Sequence, residues 1–272
     1  MVESREVGRV WDSNAEAWTE LSRAGFDVLR DLLNTPAFLA MLPDVSGQVG
    51  LDLGCGEGHN TALVAERAGW MVGLDISARF ARSALAAVRN VSGTTVVLGD
   101  GLALPFSNGS FDFVVGFMSF MDVPRPADVL AEAARVLRPG GFVQFSITHP
   151  WSNTPVRHWV YDEHGDRVAL ANGGYFDQKP FIESWLFSAA PAELRAQYRP
   201  FSVPRFPLTL AGWLNAVVDA GLVVERVSEP CATEETAAAH PEVADTRIAP
   251  YFLHIRARKP ATASARDEQR LA

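Results

Sequence analysis

A chain of 272 residues with 48% hydrophobic side chains can fill one large globular domain, with room for an insertion. Its 24 Lys and Arg against 32 Asp and Glu give a formal charge of −8. That balance argues against a nucleic-acid surface, where phosphate contacts need clustered basic groups.

The opening residues, MVESREVGRVWDSNAEAW, are charged and lack the apolar run of a secretory leader. No stretch reaches the roughly 18 apolar residues that cross a bilayer, so no membrane partner is expected and the cytoplasm is the expected compartment. The two cysteines, Cys55 and Cys231, stand far apart without a C-x-x-C neighbour, so neither a disulfide framework nor a thiolate metal site is expected.

Residues 1–40 read as a helical segment. Val7, Val10, Trp11, Ala15, Trp18 and Leu21 recur at spacings of three and four, which marks one apolar stripe. A second helical piece from Phe26 to Leu33 should end before Pro36, because a residue preceding proline avoids the helical region. From there the pattern is strand, turn, helix, repeated over residues 41–148. Strands are predicted at Val49–Leu53, Met71–Leu74, Thr94–Leu98, Phe111–Phe117 and Phe142–Ile147. Helices are predicted at His59–Ala68, from the cap Ser77 to about Asn90, and at Ala127–Leu137. Such alternation specifies an α/β fold, a doubly wound parallel sheet with helices on both faces.

The rhythm breaks over residues 149–207. That stretch holds three of the seven Trp, three of the four Tyr and five of the 16 Phe. A structureless loop of this length is not expected inside a compact domain, so it reads as an inserted cap or lid. The runs HWVYD and RVAL around Glu163-His164-Gly165-Asp166 predict a hairpin within it. Residues 208–259 complete the core with a helix, Leu210–Ala220, and strands at Leu222–Val227 and Phe252–Ala257. Residues 260–272 are polar and are expected to be disordered.

Leu51-Asp52-Leu53-Gly54-Cys55-Gly56-Glu57-Gly58 follows a strand and opens a helix, the setting in which a glycine-rich run binds a ligand. Asp75 ends the next strand, where a carboxylate can accept both hydrogen bonds of a ribose diol. Together they indicate a nucleoside ligand. A dinucleotide site wants G-x-G-x-x-G, with its pyrophosphate on the helix N-terminus. Here the third glycine comes one residue early, and the carboxylates of Asp52 and Glu57 would oppose a pyrophosphate. The same carboxylates favour a ligand bearing an ammonium and a sulfonium.

LDLGCGEG resembles the first motif of class I S-adenosylmethionine-dependent methyltransferases of the small-molecule, methyltransferase domain 11-like type. Leu74-Asp75-Ile76-Ser77 resembles their second-strand acid, and Gly99-Asp100-Gly101-Leu102-Ala103-Leu104-Pro105-Phe106 their G-D-A-x-x-L-P-F segment. Phe111-Asp112-Phe113-Val114 and Leu137-Arg138-Pro139-Gly140-Gly141 resemble two further signatures, in the family's order. The resemblance implies a Rossmann-like sheet of order 3-2-1-4-5-7-6 and S-adenosyl-L-methionine as cofactor; the histidines show no metal-ligand spacing, so no metal is expected. It implies a cofactor site of Asp52, Gly54, Cys55, Gly56, Gly58, Asp75, Ile76, Ser77, Asp100, Gly101, Leu102, Phe117 and Met118, with Asp100 on the adenine amino group, and with Trp18 either covering it or simply docking its helix on the core. Gly101 stands where the family often has Ala. After the fourth strand, Gly116-Phe117-Met118-Ser119-Phe120-Met121-Asp122 lacks the Asn-Pro-Pro-Tyr-like motif of methylases acting on base amines or glutamine amide.

Transfer from a sulfonium needs the acceptor positioned and water excluded, which an aromatic cap can do. Trp151, Tyr175, Phe176, Trp185 and Phe120 are the candidate substrate contacts. A base is needed when the acceptor starts protonated. His149, at the carboxyl edge of the fifth strand, is the first candidate, against the alternative of a histidine bonded to nearby backbone. Asp122, Tyr175 and His158 are further candidates, and His59 is read as lying by the methionine end or simply starting a helix. Cys55 is read as a small structural residue. The expected partner is a small-molecule acceptor, in a monomer or homodimer. Cyclisation or decarboxylation on a retained cofactor, RNA methylation and nicotinamide-dependent oxidoreduction are the competing readings.

Overall fold

The computed structural model describes residues 3–261, so most of the predicted polar tail, 262–272, lies outside the described residues. Seven strands form one sheet: β1 (Val49–Leu53), β2 (Trp70–Asp75), β3 (Thr94–Leu98), β4 (Phe111–Phe117), β5 (Leu137–Thr148), β10 (Val223–Ser228) and β11 (Phe252–Arg258). Their spatial order is β3-β2-β1-β4-β5-β11-β10, which counted over core strands alone is the expected 3-2-1-4-5-7-6. Only β11 runs antiparallel to its two neighbours. Near-continuous apolar runs such as Phe111–Phe117 form these strands because helices cover both faces.

On one face α5 (Pro126–Val136) and α7 (Leu210–Asp219) bury Val129, Leu130, Ala133 and Trp213 against Val114, Phe145 and Ile255. On the other, α2 (Thr35–Met41) and α3 (His59–Ala65) bury Phe38 and Val64 against Phe113, Val115 and Phe142. Helix α4 (Ala78–Val88) begins where predicted, with Ser77 Oγ accepting from the Phe80 N–H at 3.1 Å. Strand β1 pairs with β2 on one side and β4 on the other. The chain leaves this pair in opposite directions, which opens a crevice at their carboxyl ends.

The N-terminal helix α1 (Ser4–Arg23) follows the predicted stripe, but the second helical piece does not stop before Pro36. A π turn, Arg30–Asn34, runs directly into α2. The wider turn ends where the tighter one starts, so Pro36 occupies a first helical turn, where a missing N–H costs little.

Residues 149–207 carry two hairpins. The predicted one pairs β6 (Val156–Tyr161) with β7 (Arg167–Gly173). A second, absent from the sequence reading, pairs β8 (Phe181–Trp185) with β9 (Phe201–Arg205), with the short helix α6 (Ala192–Arg195) in its connection. Phe187, Phe201 and Val203 of this insertion pack on Leu21 and Trp18 of α1. A further short helix, α8 (Glu234–Ala239), lies between β10 and β11. Among the described residues no helix is long and apolar enough to cross a membrane.

Candidate active site

The crevice begins at the glycine loop after β1. Gly54 and Gly56 have φ of 79° and 54°, a region where side-chain crowding costs about 1–2 kcal/mol per residue. A Cβ on Gly54 would lie 2.4 Å from Ser119 Cβ, whereas one on Gly56 would meet nothing within 4 Å. Ser119 Oγ donates to the Leu53 carbonyl at 2.6 Å, which ties the end of β4 to the loop. Met118, beside it, is the one non-glycine at positive φ among the described residues, and its N–H donates to the Ser146 carbonyl at 3.0 Å. Strain of this kind persists only where surrounding bonds hold it.

Asp75 ends β2 with both carboxylate oxygens braced: Oδ2 accepts from the Gly56 N–H at 2.8 Å and Oδ1 from the Ser77 N–H at 2.8 Å. Burial pushes its carboxyl up to about 6, against these hydrogen bonds. Asp52 is more enclosed. Thr61 Oγ1 donates to its Oδ2 at 2.6 Å, Oδ1 is buried without a partner, and burial raises the carboxyl to about 7. Glu57 does not share that role, because Arg30 of the π turn donates to its Oε1 at 3.1 Å. Of the two loop acids, Asp52 is therefore the one that keeps an unpartnered carboxyl oxygen among the described residues.

These groups open on one cavity of about 500 Å³ that continues under the insertion. Asp52, Gly54, Cys55, Gly56, Asp75, Ile76, Asp100, Gly101, Phe117 and Met118 all line it, with Trp11 and Trp18 of α1 above them. His59 and Arg30 are on the wall as well. Three of the cofactor candidates are not. Gly58 backs onto Ala84 at the start of α3, Ser77 caps α4, and Leu102 packs on the apolar core while its N–H donates to Asp100 Oδ1. Burial and the neighbouring carboxylates Asp75 and Asp52 push the Cys55 thiol up, which fits an inert filler of the loop.

On the acceptor side the structure separates the candidates. Asp122 and Trp185 line the cavity. Phe120 is fully buried and stacks on Phe145 in the core. Tyr175 instead uses its hydroxyl oxygen to accept from the Leu210 N–H at 2.8 Å, at the start of α7. Trp151 and Phe176 are 42% and 84% exposed, and His158 is exposed on β6. His149 is turned away from the cavity wall. Its Nε2 lies 2.8 Å from Glu229 Oε1, its Nδ1 accepts from the Trp151 N–H at 3.1 Å, and burial lowers its pKa despite Glu229. Both ring nitrogens are engaged, so His149→Ala is expected to cost about 1 kcal/mol of stability through the unpaired Trp151 amide. A lowered Tm with unchanged ligand affinity is the outcome to check, and a pure loss of turnover would contradict it.

The sequence reading missed Arg157, Glu183 and Arg205, which join Asp122 on the cavity wall. The available signal was Arg205 itself, a lone charge inside the apolar run Phe201-Ser202-Val203-Pro204-Arg205-Phe206.

A methyltransferase-domain model matches residues 51–145. The chain is 40% identical over 115 residues to nocamycin O-methyltransferase of Saccharothrix syringae, covering 40% of each chain. It is 35% identical over 117 residues to fatty-acid O-methyltransferase of Mycolicibacterium smegmatis, covering 41% of each. The matched stretch thus spans about two fifths of these curated relatives. The solved S-adenosylmethionine-dependent methyltransferase of Mesorhizobium loti is 30% identical with a TM-score of 0.67, and the match covers 82% of this chain and 96% of that one. With the sheet order, the glycine loop and Asp75 in place, the chain belongs to the class I S-adenosylmethionine-dependent methyltransferases.

Proposed function

We propose that the protein transfers a methyl group from S-adenosyl-L-methionine to a small molecule held beneath the inserted hairpins. One observation carries this reading. A single cavity is walled at one end by the glycine loop with Asp75 and Asp100, and at the other by the β8–β9 hairpin. A cofactor at one end and an acceptor at the other would share that chamber.

The residues present fit the cofactor. Asp52 Oδ1 is a buried acceptor lacking a partner, suited to an ammonium, and the face of Gly56 is open where a side chain would intrude. Asp75 would hold the ribose diol with the lone pairs its backbone donors leave free, and Asp100 the adenine amino group. When bound, the cofactor supplies an electrophilic methyl on a sulfonium. Trp18 and Trp185, edge to face with ring centroids 5.9 Å apart, close the chamber between α1 and the cap. His149 serves the reading only by holding the root of the cap through Trp151 and Glu229.

Calorimetric titration with S-adenosylmethionine, followed by release of S-adenosylhomocysteine over a panel of neutral small molecules, tests the proposal. Saturable binding and product release support it, and absence of binding at millimolar cofactor refutes it. Gly56→Ala is expected to keep the fold, at about 1–2 kcal/mol for the left-handed backbone. Its methyl group would enter the open face, so cofactor affinity should fall about tenfold, the equivalent of about 1.4 kcal/mol. Unchanged affinity by titration would remove Gly56 from the cradle.

A further inference from the structure

The cavity wall beneath the cap is charged where an apolar wall would have closed it. Asp122 ends the 3₁₀ turn Phe120–Asp122 after β4, Glu183 lies on β8, Arg205 ends β9 and Arg157 is on β6. Arg205 Nη1 donates to Asp122 Oδ1, its Nε donates to Glu183 Oε2 at 2.7 Å, and Arg157 Nη2 donates to Glu183 Oε1. Asp122 and Arg205 are each only 5% exposed. Buried ion pairs of this kind seldom stabilise more than apolar residues of the same volume would, so fastening the cap does not account for them.

Two polar atoms of the pair are unused. Among the described residues, Arg205 Nη2 and Asp122 Oδ2 have no hydrogen-bond partner, and neither is among the fully buried unpartnered atoms. Neither atom is fully buried, and both residues line the cavity. The guanidinium lies with Cζ 5.0 Å from the Trp185 ring centroid, which helps fix its orientation. A permanent donor thus stands beside an acceptor, in one rigid pair.

We propose that Arg205 and Asp122 select a neutral acceptor carrying a hydroxyl beside a carbonyl oxygen, with Nη2 donating to the carbonyl and Oδ2 accepting from the hydroxyl. The proposal rests on the methyltransferase reading and names the acceptor class of that site. Charge and hydrogen-bonding capacity together exclude the alternatives. Asp122, Glu183, Arg205 and Arg157 cancel, while Asp27, Asp52, Glu57, Asp75, Asp100 and Glu242 line the rest of the cavity with Arg30 as counter-charge, so a carboxylate acceptor meets net repulsion. An ammonium is drawn by that charge but has no acceptor for the Nη2 donor, which it would leave unpaired beside a second cation.

The hydroxyl oxygen forms the new O–C bond with a lone pair. Its O–H bond breaks and the proton passes to Asp122 Oδ2. The C–S bond breaks with its electron pair remaining on sulfur, which becomes a neutral thioether. The positive charge that enters on the methyl donor leaves as that proton, released to solvent with product. The charged groups acting on Asp122 are Arg205 of β9 and Glu183 of β8; burial outweighs Arg205 and lifts the carboxyl to about 6, basic enough for a hydroxyl acidified by its neighbouring carbonyl.

Saturation-transfer NMR on the protein loaded with S-adenosylhomocysteine tests this with four probes: 2-hydroxyacetophenone, acetophenone, benzoate and benzylamine. Wild-type protein should bind 2-hydroxyacetophenone at least tenfold more tightly than the other three. Asp122→Asn should abolish that preference, because its amide oxygen stays on Arg205 and its NH₂ then points a donor at the hydroxyl. Tighter binding of benzoate or benzylamine, no binding of any probe, or an unchanged preference in the variant would overturn the proposal. The wild-type ranking decides the matter even if Asp122→Asn loses its fold. Failure of the wild-type protein to bind S-adenosylhomocysteine would instead strike the methyltransferase reading itself.

Discussion

Replacing Asp75 with alanine is expected to weaken S-adenosylmethionine binding by more than a hundredfold. A hydrogen bond to a charged acceptor contributes about 1.5–3 kcal/mol, so two ribose hydroxyls lost together forfeit about 3–6 kcal/mol, or about two to four decades in Kd. The substitution also removes the acceptor of the Gly56 and Ser77 N–H groups, which tether the glycine loop to the end of β2. Asp75→Asn separates these effects. It keeps the side-chain shape and one acceptor oxygen, but turns an NH₂ group toward either a backbone N–H or the sugar. Its affinity should fall between those of wild type and Asp75→Ala, while thermal melts report how much of the alanine defect is loss of the loop. Titration showing Asp75→Ala within fivefold of wild type would refute the ribose assignment.

What the sequence made legible is what short-range rules govern. The glycine loop could be read because a backbone at positive φ, as at Gly54 and Gly56, strongly favours glycine. The parallel sheet with helices on both faces followed because alternating strands and helices have few right-handed solutions, whereas the strand order came from the family resemblance. The second cap hairpin stayed hidden because Pro204 lies inside β9, where proline normally argues against a strand, and because its partner β8 lies across an intervening helix. Aromatic residues were equally opaque. Phe120 and Trp185 look alike in composition, yet one stacks in the core and the other lines the cavity. His149 did follow β5 at the sheet edge, but no local pattern could reveal that Glu229, 80 residues further on, holds its ring.

The same long-range blindness concealed Arg205, whose loss should have the largest effect on folding. Arg205→Met is expected to cost about 3–5 kcal/mol, because it leaves the buried carboxylate of Asp122 and the half-buried one of Glu183 without their shared counter-charge. The deficit depends on pH, and its sign follows from Asp122. That carboxyl already titrates near 6 when folded, above the ordinary 3.8, and removing the guanidinium raises it further. A group whose folded value is raised contributes stability below its unfolded value, and that contribution is lost as pH rises through the folded one. Glu183 loses part of what holds its carboxyl low and keeps only Arg157. Urea unfolding should therefore show a large deficit at pH 8 that shrinks toward pH 5, where Asp122 is mostly neutral in both proteins. Adding Asp122→Asn should recover part of the loss at pH 8, since the double variant no longer buries that charge. An Arg205→Met protein with full stability at pH 8, or a deficit that grows toward pH 5, would mean that the pair is hydrated and that its two cavity-facing atoms are not held in place.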